Sequence, residues 1–332
     1  MTARKEGLER SHPVIPLPPA EAARLLRPWC GDAAVESIQL LGGGLGNSNY
    51  LVRLAGPPER VVIRLHARGR EPRDLELRLL QRLQGQVPVP RALGAGDDAV
   101  DGARAYAVLE HCPGKLLNDW LPGLQGADVE EMGRAVGAAL AAIWEVALEG
   151  PGLLAPDLTI KAPVFNGKHP YFDIVEDSLF HGKAGPALGE PLRDRLWRFV
   201  SEHRALIESL TGERTLVHAD FDGTNILVDR RGAGFAVSGV IDWEYALSGP
   251  RVIDLSSLLR YPENLPPGFE PALVAGLRAA GGALPERWVT LARFVDLLAY
   301  CAFLNKDSAA SRRRIYETAL RATDEKLSAM GY

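Results

Sequence analysis

The chain has little cysteine. Its 332 residues contain three, Cys30, Cys112 and Cys301. They lie far apart and form no CxxC, so neither a zinc ribbon nor a disulfide framework can be read. Such sparse usage is that of reduced thiols in a cytoplasmic protein. Long hydrophobic runs are also lacking. The most apolar stretch, residues 135–144, is about half the length that spans a bilayer. Residues 1–13 are charged and have no apolar signal-peptide core. There is no excess of positive charge: 38 Lys and Arg stand against 42 Asp and Glu, a net charge of -4. That balance argues against a protein built to neutralise nucleic-acid phosphates or to lie on an anionic membrane.

Several chemical signatures are missing as well. Gly114-Lys115, Gly167-Lys168 and Gly182-Lys183 each lack the hydroxyl that a P-loop places after its lysine. The glycines at Gly42 and Gly44 do not complete GxGxxG, and a strand rather than a helix follows them, which opposes a dinucleotide fold. GxSxG and HExxH are absent, and the seven histidines show no ligand spacing. No internal repeat is visible.

What remains is ordinary globular composition, 46% hydrophobic and 24% charged, in a chain long enough for two domains or one divided into lobes. Residues 1–18, with Pro13, Pro16, Pro18 and Pro19 at their end, read as a flexible or extended lead-in. A short helix is expected over 20–27. Short runs rich in Val, Ile and Leu at 37–41, 50–54, 60–65 and 105–110 read as strands, with Gly56-Pro57-Pro58 as a hairpin connection. Leu75, Leu79, Leu80 and Leu83 share one helical face that ends at Gly85. Beyond Gly114 helical spacing dominates. Asp128 and Glu131 resemble a capping pair before Val129, Met132, Val136, Leu140 and Ile143. A second helix is expected from Leu192 to Leu210, and a third along Trp288, Leu291, Val295, Leu298 and Ala302. Residues 150–189 read as loop with short elements. Strands at 215–218, 226–229 and 236–241 interrupt the helices. The expectation is an α+β chain: a sheet-dominated lobe over 1–112 and a larger helical lobe over 113–332.

The densest chemistry lies between two of these strands, at His218-Ala219-Asp220-Phe221-Asp222-Gly223-Thr224-Asn225. H-x-D-x-x-x-x-N puts an Asp and an Asn on one tight loop. The Asp can accept a hydroxyl proton, and the Asn carbonyl is a hard ligand for Mg²⁺. Alone, the loop also reads as a polar hairpin turn. Seventeen residues after Asn225, the apolar run Val240-Ile241 delivers Asp242, a second oxygen ligand. Upstream, the glycines from Gly42 to Gly46 sit between two strands, where backbone N–H groups can approach phosphates closely. Arg64 ends the strand Val61-Val62-Ile63, and Glu76 lies on the next helix, with Glu71 and Asp74 as competing carboxylates.

These parts occur in the order of the protein-kinase-like fold. The details resemble the aminoglycoside phosphotransferase family, which includes small-molecule kinases for choline and homoserine. Leu216-Val217-His218-Ala219-Asp220 with Asn225-Ile226-Leu227-Val228 is similar to that family's catalytic loop. Ile241-Asp242-Trp243-Glu244 is similar to its metal-binding motif. HRD, DFG and APE are absent, which opposes a protein kinase. The resemblance implies a bilobal fold, ATP or another NTP, Mg²⁺ and a small-molecule hydroxyl substrate. It implies Asp220 as catalytic base, Asn225 and Asp242 as metal ligands, and Gly43, Gly44, Gly46 and Ser48 in the nucleotide loop. Arg64 stands where kinases usually carry Lys, with Glu76 as its partner, and Glu110 to Cys112 correspond to the hinge at adenine. Asp254 and His218 are expected to brace the catalytic loop. Glu244, Tyr245 and Asp296 are candidates for lining the acceptor cleft. A kinase-fold protein that binds nucleotide without turnover is the alternative.

Overall fold

The structure is a computed structural model that describes residues 12–42, 46–98, 104–164, 169–232, 234–305 and 313–332. The first five strands are β1 (Val35–Leu40), β2 (Ser48–Leu54), β3 (Arg60–His66), β4 (Ala92–Asp98) and β5 (Arg104–Glu110). They form one antiparallel sheet in the order β1-β2-β3-β5-β4. Strand side chains alternate between faces, and that alternation divides this sheet's duties. Val61, Ile63 and Leu65 bury against α1 (Pro19–Cys30), together with Tyr50, Val52 and Val108. Ala107 and Leu109 face α2 (Arg70–Leu83), whose Leu79, Leu80 and Leu83 complete that layer. Arg64 and His66 share the parity of Val62, the residue that packs on the α2 side. The sheet's second face thus carries the buried Arg64 and His66.

The expected lead-in is extended rather than loose where it is described. The Ile15 N–H donates to Ser48 Oγ at 3.0 Å, the Tyr50 hydroxyl donates to the Ile15 carbonyl at 2.7 Å, and Leu17 is buried. Residues 1–11 lie outside the described residues. Strand β4 escapes a reading by composition because it contains Gly94 and Gly96, and glycine weakens strand patterns. A Cβ at Gly94 would sit 2.1 Å from the Trp29 ring, so the glycine gives α1 its seat on the sheet.

The second lobe is mostly helical. It opens with β6 (Lys115–Leu116), α3 (Leu117–Trp120) and α4 (Ala127–Trp144). Next come β7 (Gly152–Leu154), β8 (Ile160–Ala162), α5 (Pro170–Phe180), α6 (Ala184–Leu188), α7 (Glu190–Glu202) and α8 (Arg204–Glu208). The strands β9 (Thr215–Val217), β10 (Ile226–Arg231), β11 (Gly234–Val240) and β12 (Leu247–Gly249) follow. The described chain closes with α9 (Val252–Leu258), α10 (Phe269–Ala279), α11 (Trp288–Asn305) and α12 (Arg313–Ala329). Two apolar clusters support this lobe, one beneath the first sheet and one among α5, α7, α9, α11 and α12.

Three local expectations need correction. Helix α4 begins at Ala127 after Gly126, so Asp128 already lies in the first turn and its side chain caps nothing. Acidic residues there still favour the helix dipole. The helix expected over 192–210 breaks at His203, whose backbone leaves the helical region at φ -105° and ψ 13°. Within 150–189, α5 runs for 11 residues and buries Tyr171, Phe172, Val175 and Leu179. Its periodic stretch is short and is flanked by Gly and His, which hid it. Helix α11 is long and apolar enough to cross a membrane by length and composition. Its Leu291, Phe294, Leu297, Cys301 and Leu304 are buried in the second cluster.

Helices α4 and α10 meet through glycine. A Cβ at Gly137 would come within 2.1 Å of the Leu273 carbonyl oxygen, and one at Gly276 within 2.3 Å of the Arg134 carbonyl oxygen. Gly137→Ala gains about 1 kcal/mol of helix propensity but forces two backbones apart, and overpacking typically costs about 1–3 kcal/mol. Gly137→Ala is therefore expected to destabilise the protein in urea titrations. A stabilised variant would show that the two helices separate freely.

Candidate active site

The loop between β9 and β10 is built around an unusual backbone. Ala219 has φ 64°, a left-handed value that costs a non-glycine residue about 1–2 kcal/mol. Asp254 on α9 compensates. Its carboxylate accepts the N–H of Ala219 at 2.9 Å and of His218 at 3.2 Å. Burial raises the Asp254 carboxyl to about 7, while those two N–H groups pull the other way. The buried His218 ring spans the loop. Its Nε2–H donates to the Ile241 carbonyl at 2.9 Å, which leaves Nδ1 to accept the Asp220 N–H at 3.3 Å. Both residues brace the loop, as their sequence positions led us to expect.

Asp220 emerges half-buried from this frame. Asn225 Nδ2 donates to its carboxylate at 2.9 Å and to its carbonyl at 2.8 Å. Two acceptors on one side orient the amide, so Asn225 Oδ1 faces away from Asp220. The β10–β11 hairpin then brings Asp242 near. Ile226 pairs with Val240, and the Ile241 N–H donates to the Asn225 carbonyl at 2.9 Å. Asp242 leaves the strand in a left-handed conformation, φ 69° and ψ 59°. Asp tolerates that region better than most residues.

The sheet supplies a cation to the same place. Arg64 and Glu76 are each about 3% exposed and pair at 3.0 Å, Arg64 Nε to Glu76 Oε2. Arg64 Nη2 also pairs with Asp242 across the lobes. Burial opposes the guanidinium charge, but Asp242 and Glu76 outweigh it and raise its pKa. Burial also lifts the Glu76 carboxyl above the usual carboxylate range, with Arg64 opposing. Glu76 Oε1 accepts the Trp243 N–H at 3.4 Å. The competing carboxylates are engaged elsewhere, Glu71 with Lys161 and Asp74 with Arg73.

The other expected residues are spread around this centre. Gly46 is half-buried, and Gly43 and Gly44 lie outside the described residues. Ser48 is fully buried and its hydroxyl holds the lead-in at Ile15. Glu110 ends β5, donating its N–H to the Arg91 carbonyl at 2.8 Å and pairing its exposed carboxylate with Arg91 at 3.2 Å. Cys112 is buried, and burial raises its thiol to about 11. Asp296 does not line a cleft. It is buried and takes Ser256 Oγ at 2.7 Å, Arg260 Nε at 3.0 Å and Lys326 Nζ at 2.9 Å. Glu244 is held by Arg68 and Asn47.

Sequence reading missed His66 and Asn47. His66 is buried, with Nε2 3.7 Å from Glu76 Oε2, and burial followed by Arg64 lowers its pKa to about 3, which keeps the ring neutral. Its spacing of two from Arg64 on a strand is the signal that could have found it. Asn47 directly follows the glycine run and carried no such signal.

Comparison with known proteins shows a family and a fold. The sequence pattern of the phosphotransferase enzyme family (APH) matches residues 37–288. The chain is 26% identical over 276 residues to acyl-CoA dehydrogenase family member 10 of Mus musculus, across 78% of this chain. It spans 24% of that protein's length. Solved structures share the fold. A thermostable mutant of aminoglycoside phosphotransferase APH(4)-Ia, in ternary complex with AMP-PNP and hygromycin B, superposes with TM-score 0.68 at 18% identity, covering 92% of this chain and 98% of that one. The GDP and kanamycin complex of APH(2")-IIIa gives 0.67 at 18%, covering 93% and 98%.

The Arg64–Glu76 pair makes a stability prediction that is independent of activity. Removing one partner of a buried ion pair leaves a lone charge and costs about 3–5 kcal/mol. Arg64→Leu is expected to approach that loss in denaturant titrations, and Glu76→Leu to lose less, because Asp242 still meets Arg64. The double variant is expected to lose clearly less than the sum. Additive losses would show that the two side chains do not act as a pair.

Proposed function

The chain belongs to the phosphotransferase enzyme family, and from that premise we propose that it is an ATP- and Mg²⁺-dependent kinase that phosphorylates a hydroxyl of a small molecule. The observation that carries the reading is the Asp220–Asn225 contact, set beside Asp242 by the β10–β11 register. In this reading the nucleotide lies between a sheet lobe of residues 1–112 and a helical lobe of residues 113–332. Its adenine is read by backbone between Glu110 and Cys112, and its phosphates by Gly43, Gly44 and Gly46, whereas Ser48, expected beside them, is buried and serves the lead-in instead. The AMP-PNP and GDP of the similar structures support a nucleoside triphosphate as donor. Their hygromycin B and kanamycin support a polar, hydroxyl-bearing acceptor.

Asp220 accepts the acceptor's hydroxyl proton and aims the oxygen at the γ-phosphorus. In this reading Arg64, held by Glu76, would contact the phosphates. The donors available suit Mg²⁺: Asn225 Oδ1 is an amide carbonyl and Asp242 a carboxylate, both hard oxygens. Among the described residues no three His, Cys, Asp or Glu side chains form a metal cluster, so Asn225 and Asp242 would hold the ion together with bound nucleotide rather than alone. When bound, Mg²⁺ neutralises charge on the transferring phosphate.

The rival is a nucleotide-binding protein without turnover. The Arg64–Asp242 ion pair favours it, because it occupies a carboxylate that the metal needs. A panel of candidate alcohols, tested for acceptor-dependent ADP release, separates the two. With an acceptor in hand, Asp220→Ala is expected to cut turnover by about 10²–10⁴ while nucleotide still binds. Near-normal turnover would remove Asp220 from the base role. Mg²⁺ is expected to tighten ATP binding in calorimetry, and Asp242→Ala to abolish that coupling. Equal affinity with and without Mg²⁺ in the unaltered protein would contradict the metal assignment.

A further inference from the structure

The turn after β11 places three consecutive residues against the first lobe. Asp242 meets Arg64 on β3, the Trp243 N–H meets Glu76 on α2, and Glu244 meets two further residues. Glu244 Oε2 lies 3.2 Å from Asn47 Nδ2 and 2.9 Å from Arg68 Nη2. Asn47 is itself buried, and its Oδ1 accepts the Ala67 N–H at 3.1 Å. The Arg68 guanidinium also lies 4.8 Å over the Tyr245 ring. A single carboxylate oxygen therefore joins the residue that precedes β2 to the link that follows β3. The contact spans 197 residues of sequence.

We propose that Glu244 is a positioning residue: it bridges the lobes, fixing Asn47 and the β3–α2 link against the turn that carries Asp242. The bridge itself is a geometric inference, and its consequence for nucleotide rests on the phosphotransfer reading. The Glu244 side chain is 6% exposed, so its charge is largely desolvated and is held by its partners. The 2.9 Å contact with Arg68 has the length of a charge-assisted bond, and the Asn47 bond is longer, at 3.2 Å. Asn47 follows Gly46 directly, so its seat fixes where the chain leaves the glycine run. The Asp242 end of the same turn fixes one metal ligand. Glu244 sets the distance between the two.

Amide exchange and nucleotide binding test this together. In Glu244→Ala the Ala67 amide is expected to exchange about ten-fold faster, because Asn47 loses one of the bonds that hold it. ADP binding without Mg²⁺ is expected to weaken about ten-fold in Glu244→Ala and in Asn47→Ala. The double variant should be little worse than either single. Glu244→Gln keeps an acceptor for Asn47 and should fall between. Unchanged Ala67 exchange in Glu244→Ala overturns the bridge, as does protection lost evenly across all amides. A defect seen only with Mg²⁺ present overturns it in favour of a metal-ligand role, and an additive double variant overturns it too. If the unaltered protein binds no nucleotide, the phosphotransfer reading falls, and the exchange experiment still decides the bridge.

Discussion

One buried cation organises the junction between the lobes. Arg64 is 3% exposed, and a guanidinium cannot shed its charge at any ordinary pH. It must be met by carboxylates or the fold bears the cost of a lone buried ion. Glu76 meets it from α2, which fixes that helix on the sheet. Asp242 meets it from the opposite lobe, which draws the two lobes together. Neutral His66 fills the space beside the pair without adding a second positive charge.

The second lobe answers with stored strain. Ala219 and Asp242 both have left-handed backbones, one just before Asp220 and the other at the end of the hairpin that faces it. Non-glycine residues hold such conformations only where their surroundings over-determine them. Asp254 supplies that hold for Ala219 through two backbone N–H groups. His218 ties the two strained regions together by bonding Asp220 on one side and Ile241 on the other. The strained residues flank the candidate chemistry, and the buried polar groups that restrain them lie one layer behind.

Much of this was legible in the letters. The Val- and Leu-rich runs of β2 and β3, the leucine face of α2 and the stripe of α11 follow directly from apolar composition and spacing. The spacing along one hairpin drew attention to Asp220, Asn225 and Asp242, and the structure joins Asn225 to Asp220; of the three carboxylates considered, it is Glu76 that pairs with Arg64, while Glu71 and Asp74 pair elsewhere. What stayed hidden depends on contacts between distant segments. Strand β4 looks like a loop until the Trp29 and Tyr106 rings are seen where its glycine side chains would be. Asp296 looks like a cleft residue until Arg260 and Lys326 close over it. Asn47 carries no pattern at all, since its partners lie about 20 and 197 residues away.

The triplet Asp242-Trp243-Glu244 uses side chain, backbone and side chain in succession against three separate parts of the first lobe. Such a triplet can be respelled but not lengthened. One inserted residue would rotate the later contacts off their partners, whereas a substitution disturbs one contact at a time. Drift in this protein's lineage therefore has different freedoms on either side of β11. The hairpin tip before that strand can grow or shrink, and the turn after it keeps its residue count, so that aligned descendants should show an ungapped block where the two lobes touch.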